Sequence, residues 1–268
     1  MEIAGAANIG DIFISCKKEK HYSREVILPR PALVRVYAGE MRIASADRVF
    51  TFYAGDTILL PRNQLGRLSK LPLNGEPFKS ISIVFSREKL QQYYSTHQIN
   101  VVQENIPKLK VLPEHPLLDS LFDSLLPYFK LADVLPPDIA VFKVEEAIRV
   151  LRAVDENVDS MLGQFEEPGK IDLVDFMDKN YMFNLSLEKF GYLTGRSLTT
   201  FKKDFKKAFK ITPGKWLTQK RLQLAHYQIV EKNRKPSEVY FDVGFENLSH
   251  FSFAFKKQFG YNPSALGY

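Results

Sequence analysis

The sequence predicts an α+β protein of two domains: an antiparallel β-barrel followed by a pair of helices, and then an all-α domain with two helix–turn–helix units. Three observations support this division. Residues up to Phe85 alternate apolar and polar side chains in short runs broken by turn residues, as in an antiparallel barrel or sandwich. Residues from Pro116 onward repeat apolar side chains every three or four positions, as amphipathic helices do. The excess positive charge lies in the last third of the chain.

Length and composition are those of a globular protein rather than a disordered or fibrous one. The chain has 268 residues, of which 45% are hydrophobic and 25% charged, enough for two domains with separate cores. A single cysteine excludes an internal disulfide framework and leaves no cysteine cluster for structural zinc. No apolar run reaches the roughly 18 residues that a membrane span needs, and the first residues lack a basic signal region. We therefore expect a cytoplasmic protein without a membrane partner.

The charge distribution indicates a polyanionic partner for one domain only. From Lys170 to Tyr268 there are 17 Lys and Arg residues against 9 Asp and Glu residues, a net charge of +8. The preceding part carries 20 basic and 22 acidic residues, a net charge of −2. Such an asymmetry most often serves nucleic-acid binding. The alternative is a lysine-rich helical surface that is merely solvated.

The β segments come first along the chain. Residues 32–37, followed by Ala38-Gly39-Glu40 and then residues 41–43, predict a β-hairpin. Turn residues at Gly55 and Pro61 separate the next runs. Further strands are predicted at 49–53, 57–60 and 79–85.

Two helices are predicted after the strands. Residues 116–129 place leucines and phenylalanines on one wide face. Pro136-Pro137 marks a break, and Asp138 is suited to cap a second helix. The apolar stripe of that helix comprises Ala140, Val144, Ala147, Ile148, Leu151 and Val154. These faces either cover the barrel or form a self-association surface for a homodimer, and the sequence leaves both interpretations open.

A polar linker at residues 161–170 separates the predicted domains, which span 1–160 and 171–268. Its glycines and Lys170 resemble a phosphate-binding loop only superficially. Five residues rather than four separate the glycines, and Ile171 stands where Ser or Thr is needed to bind magnesium. We therefore predict no nucleotide site in the linker.

The basic third opens with the first helix–turn–helix unit. Ser186 is suited to cap a short helix that ends at Gly195, and Ser197 to cap the helix that follows the tight turn. Because Phe201 and Phe205 point inward, the outward face of the second helix carries Thr199, Lys202, Lys203 and Lys206. Lysine pairs with phosphate oxygens or guanine edges, and a threonine methyl contacts thymine. A solvated lysine face is again the alternative.

A longer helix that begins at Thr212-Pro213 leads to a second, similar unit. Pro236 opens its short helix, Gly244 makes the turn, and a helix follows from Asn247 to Phe259. The outward face of this last helix is predicted to carry Ser249, Ser252, Phe253, Lys256 and Lys257. Two reading helices on one rigid connector fit successive major grooves if they lie about 34 Å apart.

These motifs resemble the DNA-binding domain of the AraC/XylS family. They are Ser186-Leu187, Phe201-Lys202-Lys203-Asp204-Phe205, Thr212-Pro213, Val243-Gly244-Phe245 and Phe259-Gly260-Tyr261-Asn262-Pro263. The resemblance implies a seven-helix domain with double-stranded DNA and RNA polymerase as partners. It implies a transcriptional regulator, and most members of the family are activators.

The resemblance also assigns residues. It places Thr199, Lys202 and Lys203 near base edges in the first unit, and Leu248, Ser249 and Phe253 at the corresponding positions of the second. Phe253 stands where a basic residue is common, which favours apolar contacts with thymine methyls or sugars. We expect His250 to be packed and hydrogen-bonded rather than to contact phosphate. The predicted DNA-binding residues are Thr199, Lys202, Lys203, Lys206, Ser249, Phe253 and Lys256.

The segments Ala38-Gly39-Glu40 and 54–61 resemble the cupin-like N-terminal domain of the same family. This resemblance implies that the barrel binds a small-molecule or protein effector and that the following helices form dimer contacts. Metal-dependent cupins need clustered histidines, whereas His21, His97 and His115 are scattered along the sequence. We therefore expect no metal, no cofactor and no catalytic residues.

Two other functions compete with transcription regulation. A cupin-type small-molecule enzyme accounts for the front half only, and the sequence offers it neither metal ligands nor a nucleophile with its base. An architectural DNA binder without sequence preference has no need of a sensory barrel. A sequence-specific transcriptional regulator, with activation favoured, accounts for both halves.

Overall fold

A computed structural model describes residues 7–9, 11–22, 27–99, 109–129 and 137–266. The chain forms two compact units, Met1–Glu166 and Glu167–Tyr268. Within the described ranges, none of the helices combines the length and the apolar character needed to traverse a lipid bilayer.

The first unit is built on strands whose described pairings are all antiparallel. Its strands are β1 (Ala7–Ile9), β2 (Ile12–Lys17), β3 (His21–Tyr22), β4 (Ile27–Leu28), β5 (Ala32–Ala38), β6 (Glu40–Ala44), β7 (Val49–Phe52), β8 (Thr57–Leu60), β9 (Gln64–Leu65), β10 (Arg67–Leu71), β11 (Phe78–Val84) and β12 (Lys110–Leu112). The predicted strands at 49–53, 57–60 and 79–85 correspond to β7, β8 and β11.

These strands form two larger sheets and a small one. Six strands lie in the order β1-β2-β11-β5-β8-β12 and four in the order β3-β10-β6-β7, while β4 pairs with β9. Val34 and Val36 of the first sheet share an apolar cluster with Met41 and Ile43 of the second. The predicted antiparallel class is therefore confirmed, in the double-sheet form that closed β-folds often take.

The predicted hairpin at Gly39 is wrong. β5 pairs with β8 and β11, whereas β6 pairs with β7 and β10, so the chain passes from one sheet to the other at this residue. Gly39 has φ of 76°, and a Cβ atom there would lie 2.5 Å from the carbonyl oxygen of Leu71 and 2.8 Å from Cα of Phe78. A corner between sheets and a hairpin show the same alternation of side chains, so the sequence pattern did not separate them.

Helices cover the opposite face of the six-stranded sheet. They are α1 (Arg87–Thr96), α2 (Pro116–Asp123), α3 (Pro137–Val154) and α4 (Asp159–Leu162), with a 3-10 turn at Leu126–Phe129. Ile81 of β11, Phe122 of α2 and Ile148 of α3 belong to one buried cluster. The apolar stripes of α2 and α3 therefore cover the sheet, which is the first of the two interpretations given above.

Two details of the predicted helix pair differ in the structure. The helix expected at 116–129 ends at Asp123 and continues only as the 3-10 turn. Asp138 lies inside the first turn of α3 rather than at its N-cap, because the helix already begins at Pro137. An acidic residue in the first turn is still favourable, since it faces the positive end of the helix dipole.

The second unit is all-helical in its described residues 167–266. Its segments are α5 (Leu173–Asn180), α6 (Leu187–Leu193), α7 (Leu198–Phe209), α8 (Pro213–Val230), α9 (Pro236–Asp242), α10 (Leu248–Phe259) and a 3-10 turn at Pro263–Ala265. These seven helical segments agree with the fold that the family resemblance implies. The predicted caps Ser186 and Ser197 are confirmed, since the side chain of each accepts a hydrogen bond from the backbone N–H three residues later. Asn247, which was not predicted as a cap, does the same for α10.

Helix α8 packs against both helix–turn–helix units through aromatic side chains. Near its start, the ring centre of Trp216 lies 5.5 Å from that of Phe205 and 4.7 Å from that of Phe209. Further along, the ring centre of His226 lies 4.8 Å from that of Phe259, and its Nε2 lies 2.8 Å from the Tyr261 hydroxyl. The predicted role of α8 as the connector is therefore supported by contacts at both of its ends.

Arg221, between these aromatic contacts, joins α8 to the segment between α5 and α6 and to the turn of the second helix–turn–helix unit. Its Nε donates to the carbonyl of Tyr181 at 2.8 Å, its Nη2 to that of Phe183 at 2.7 Å and its Nη1 to that of Gly244 at 3.1 Å. Desolvation by burial lowers the pKa of Arg221 to about 10, so the side chain stays protonated at neutral pH. Gly244 has φ of 97°, and a Cβ atom there would lie 2.8 Å from Arg221 Nε.

The sheet-switching corner predicts an unequal pair of glycine substitutions. Gly39→Ala and Gly55→Ala both place a side chain at positive φ, which costs about 1–2 kcal/mol. Only Gly39→Ala adds a steric clash, because an added Cβ at Gly55 meets no atom within 4 Å. We expect Gly39→Ala to lower the free energy of unfolding by about 1–3 kcal/mol more than Gly55→Ala. Urea denaturation followed by circular dichroism measures both, and equal losses would contradict the crowded corner.

Arg221 predicts a second stability difference. Arg221→Met removes three charge-assisted hydrogen bonds and strands their carbonyl acceptors, so we expect the second unit to lose about 3 kcal/mol of stability. Lys179→Met is the control, since the Lys179–Asp175 pair is exposed to solvent and its loss should cost under about 1 kcal/mol. The single tryptophan, Trp216, lies in this unit, so its fluorescence during urea unfolding reports on it. Similar losses for both variants would contradict the role of Arg221.

Candidate nucleic-acid interface

From the caps of α7 and α10 onward, the two helix–turn–helix units are related by a sequence repeat of 50 residues. The shift maps Ser197 onto Asn247 at the cap and Pro213 onto Pro263 after the helix. The buried aromatic residues also coincide: Phe201 with Phe251, Phe205 with Phe255, and Phe209 with Phe259. The sequence interpretation noted that the units were similar but missed this exact register, which comparison of the chain with itself would have found. The repeat makes α7 and α10 equivalent helices.

The two turns share a glycine at positive φ and one backbone hydrogen bond, although the second turn is one residue longer before its cap. Gly195 has φ of 66° and Gly244 has φ of 97°, values that favour glycine. After each glycine the chain folds back: the N–H of Arg196 donates to the carbonyl of Gly191 at 2.8 Å, and that of Phe245 to Tyr240 at 2.9 Å. Each turn thus fixes the direction in which α7 or α10 leaves the helix before it.

Helix α7 buries its aromatic side and exposes a basic one. Phe201 and Phe205 are fully buried. The four residues predicted to contact DNA on this helix are exposed on one face; they are Thr199, Lys202, Lys203 and Lys206. The adjacent Lys207 is exposed as well. Within the described part of the chain, none of these lysines forms an ion pair, and Asp204 is paired with Arg196 at 3.1 Å. The face is therefore an unneutralised cationic surface.

Helix α10 exposes a mixed face. Ser249 and Lys256 are exposed, as predicted, and 70% of the surface of Phe253 is accessible to solvent. Ser252 was expected to face outward, but it is partly buried. His250 was expected to be packed, but it is exposed, and its ring lies 5.6 Å from that of Phe245. The reason is its position one residue before the buried Phe251, which turns it toward the solvent side of the helix start.

The repeat pairs the exposed residues of the two helices. Thr199 corresponds to Ser249 and Lys206 to Lys256, so the ends of both faces keep a hydroxyl and an ammonium group. Lys203 corresponds to Phe253, so the centre of the face is cationic in α7 and apolar in α10. An ammonium group suits a phosphate or a guanine edge, whereas an exposed ring suits a thymine methyl. One scaffold therefore presents two chemically different surfaces.

Ion pairs elsewhere in the second unit neutralise acidic side chains. Lys220 pairs with Asp178 at 3.0 Å, Lys179 with Asp175 at 2.7 Å, and Arg234 with Asp242 at 2.7 Å. Glu246 accepts a hydrogen bond from Asn184 at 3.0 Å. The excess positive charge of this unit is consequently carried by lysines such as those of α7 and α10.

The histidines considered as metal ligands have other roles where the structure describes them. His115 caps α2 by accepting from the N–H of Leu117 at 3.2 Å, and the ring of His97 stacks 4.0 Å from that of Tyr93. The described ranges contain no group of three or more His, Cys, Asp or Glu side chains arranged to hold a metal ion.

Comparison with known proteins gives the same division of the chain. A family model described as a helix-turn-helix domain matches residues 193–267, and one described as the ExsA N-terminal regulatory domain matches residues 31–158. The HTH-type transcriptional regulator ExsA of Pseudomonas aeruginosa is 24% identical over 233 residues, which cover 84% of this chain and 82% of ExsA.

Two further proteins show similarity. The thermoregulatory protein LcrF of Yersinia pestis is 26% identical over 151 residues, so that the match covers 56% of this chain and 55% of LcrF. A crystal structure of apo ToxT from Vibrio cholerae matches 96% of this chain and 97% of its own, with 12% identity and a TM-score of 0.44. Both domain models are matched in sequence order and ExsA is matched over most of its length, so the chain is similar to AraC/XylS-type transcriptional regulators in both of its domains.

Proposed function

We propose that this protein is a sequence-specific, double-stranded-DNA-binding transcriptional regulator that acts in the cytoplasm. The observation that carries the proposal is the 50-residue repeat, which gives one connector helix two equivalent, solvent-exposed recognition helices. Helices of this kind enter the major groove in helix–turn–helix proteins. The names of ExsA and LcrF, a transcriptional regulator and a thermoregulatory protein, support a regulatory rather than a catalytic role.

We assign the DNA contacts of the first helix–turn–helix unit to α7. Lys203 lies at the centre of the exposed face and is assigned a base contact, together with Thr199 and Lys202. Lys206, one turn further on, is assigned a phosphate contact, since phosphate contacts commonly flank the base-reading residues. The absence of ion pairs for these lysines in the described residues supports the assignment, because no internal carboxylate competes with DNA.

We assign the DNA contacts of the second helix–turn–helix unit to Ser249, Phe253 and Lys256 of α10. Exposing a phenylalanine ring to water to this extent is unfavourable unless a partner covers it. Contact with thymine methyls in the major groove covers the ring without unpaired polar groups. The second unit is therefore expected to prefer a T-containing half-site.

The compact unit Met1–Glu166 is assigned the regulatory role. We propose that residues 1–160 respond to a small-molecule or protein effector, that 161–170 form the linker and that 171–268 bind DNA. The division between the compact units at Glu166 and Glu167 falls inside that linker and supports a boundary there, whereas Met161 and Leu162 at its start are buried in the core of the first unit. Activation through RNA polymerase, rather than catalysis, is the expected output for a protein of this family.

We also propose that the protein forms a homodimer through α2 and α3. Most of their apolar residues are buried against the sheet, but three remain exposed: Leu117 at 45%, Val141 at 48% and Phe142 at 69%. They lie on two helices that contact each other. Exposed apolar side chains on neighbouring helices often mark a protein interface.

Binding to DNA from upstream of the protein's own gene tests the main proposal. The full-length protein should bind this duplex more tightly than random duplex, and its affinity should fall steeply with salt as counterions are released. Lys203→Ala should cost about 1–3 kcal/mol on the specific site and relax base preference in one half of the footprint. Equal affinity for specific and random duplex at every salt concentration would favour the architectural alternative.

Two controls separate the roles of the lysines. Lys206→Ala should weaken binding to all sequences equally and lower the salt dependence by about one counterion. Lys179→Ala, in which the lost ammonium group was already paired with Asp175, should change neither quantity. If Lys203→Ala behaved as Lys206→Ala is expected to, the assignment of Lys203 to a base contact would be wrong.

The dimer proposal predicts the effect of Phe142→Glu. A carboxylate at this position places a charge in the proposed interface, so the dimer dissociation constant measured by sedimentation should rise at least tenfold. Val111→Glu, at an exposed residue of β12, is the matched control and should leave the dimer intact. A monomer for the unaltered protein at micromolar concentration would contradict the proposal.

A further inference from the structure

Residues 169–171, which precede α5 in the second compact unit, lie against the turn of the first helix–turn–helix unit. An added Cβ atom at Gly195 would lie 2.6 Å from the backbone nitrogen of Lys170 and closer still to the carbonyl of Gly169. Gly195 also has φ of 66°, so its backbone conformation and the neighbouring segment both exclude a side chain. Segment 169–171 is therefore packed closely against the turn from which α7 leaves.

Arg196, the residue after this glycine, joins segment 169–171 to the turn and to the recognition helix. Its Nη1 donates to the carbonyl of Ile171 at 3.0 Å and to that of Thr194 at 2.6 Å. Its Nε donates to the Asp204 carboxylate at 3.1 Å, and only 11% of the side chain is accessible to solvent. The donors of a guanidinium group have fixed directions in one plane, so partners in three places restrict one another.

The carboxylate partner of Arg196 lies on α7 itself. Asp204 stands between Lys203, whose side chain is exposed, and Phe205, whose ring is fully buried. Apolar packing around Phe205 is non-directional, whereas a hydrogen bond between charged groups is directional. The bond from Arg196 therefore restricts the rotation of α7 about its axis, and with it the direction in which Lys203 points.

The second helix–turn–helix unit lacks this connection. In the 50-residue repeat, Arg196 corresponds to Glu246 and Asp204 corresponds to Ala254, so neither the guanidinium donor nor its acceptor on the recognition helix is kept. Glu246 instead accepts a hydrogen bond from Asn184 at 3.0 Å. The restraint from segment 169–171 thus acts on α7 and has no counterpart at the corresponding residues of α10.

We propose that Arg196 is a positioning residue: with segment 169–171 docked on the first turn, it holds α7 in the orientation in which Lys203 reads bases. This inference rests on the proposed DNA-binding function of α7. Because coupling between two equilibria is reciprocal, a docked segment favours DNA binding and bound DNA favours the docked segment. Segment 169–171 includes the end of the predicted linker, so a change that pulled the linker off the turn would weaken base reading in one half of the DNA site.

Trypsin cleavage after Lys170 in the full-length protein without DNA measures the docking itself. Cleavage requires that the segment leave the turn and that the bond to the Ile171 carbonyl break. The fragment that begins at Ile171, identified by its mass, should form at least tenfold faster in Arg196→Met than in the unaltered protein. Lys179→Met, which removes the same charge from an exposed ion pair, should leave the rate unchanged. Equal rates in Arg196→Met and the unaltered protein would overturn the docking role of Arg196.

Two glycine variants keep this test decisive if Arg196→Met alters the circular dichroism spectrum. Gly195→Ala and Gly260→Ala both place a methyl group at positive φ. Only Gly195→Ala displaces segment 169–171, because an added Cβ at Gly260 meets no atom within 4 Å. Cleavage after Lys170 should therefore be at least threefold faster in Gly195→Ala than in Gly260→Ala, and equal rates would overturn the docking of the segment.

Selection of bound sequences from randomised duplexes tests the effect on DNA reading. Arg196→Met should reduce base preference at least fivefold in the half of the site that Lys203→Ala relaxes, and it should leave the other half unchanged. A general loss of stability would affect both halves alike. Unchanged preference in both halves, or an equal loss in both, would overturn the inference while the proposed function stands. An unaltered protein without base preference would overturn the proposed function and the DNA part of this inference with it.

Discussion

The three hydrogen bonds of Arg221 are the constraint on which the DNA-binding unit depends. They run from one guanidinium group on α8 to the carbonyls of Tyr181 and Phe183, which precede the first helix–turn–helix unit, and to the carbonyl of Gly244 in the turn of the second. Aromatic contacts at Trp216 and His226 then hold α7 and α10 against the same helix. Because a guanidinium group is planar and its donors have fixed directions, it holds three chain segments in one geometry that hydrophobic packing alone would leave adjustable.

In the second compact unit, the buried residues of α7 and α10 are alike, whereas their exposed residues differ. Its buried positions repeat at 50 residues with phenylalanine matched to phenylalanine, so both recognition helices rest on the same kind of core. Its exposed positions differ, most clearly where Lys203 corresponds to Phe253. Two surfaces of different chemistry on equivalent supports suit an asymmetric DNA site better than a symmetric one, since each half-site would be read by different groups.

In the first unit, the six-stranded sheet uses its two faces differently. Side chains such as Ile81 and Ile83 pack under α2 and α3, whereas Ser80 and Ser82 on the other side line a cavity between the sheets. Such alternation is the ordinary consequence of the β-strand, in which successive side chains point to opposite faces. The corner at Gly39 brings the second sheet over this inner face, and only glycine fits there because Leu71 and Phe78 approach so closely. The cavity is thus a product of that corner.

The sequence alone determined the fold class, the helix limits of the second unit, the exposed face of α7 and most of that of α10. Caps, glycines at the turns and the spacing of phenylalanines act within a few residues, so local reasoning captured them. Contacts between distant segments needed the tertiary structure: the change of sheet at Gly39, the break of the helix expected at 116–129, the exposure of His250 and the bonds of Arg221. The same holds for Lys70, because the sequence does not show that its side chain points into the cavity between the sheets. A pattern of alternating residues records that one side of a strand is buried, but which strands face each other across the interior is fixed only when the whole chain packs.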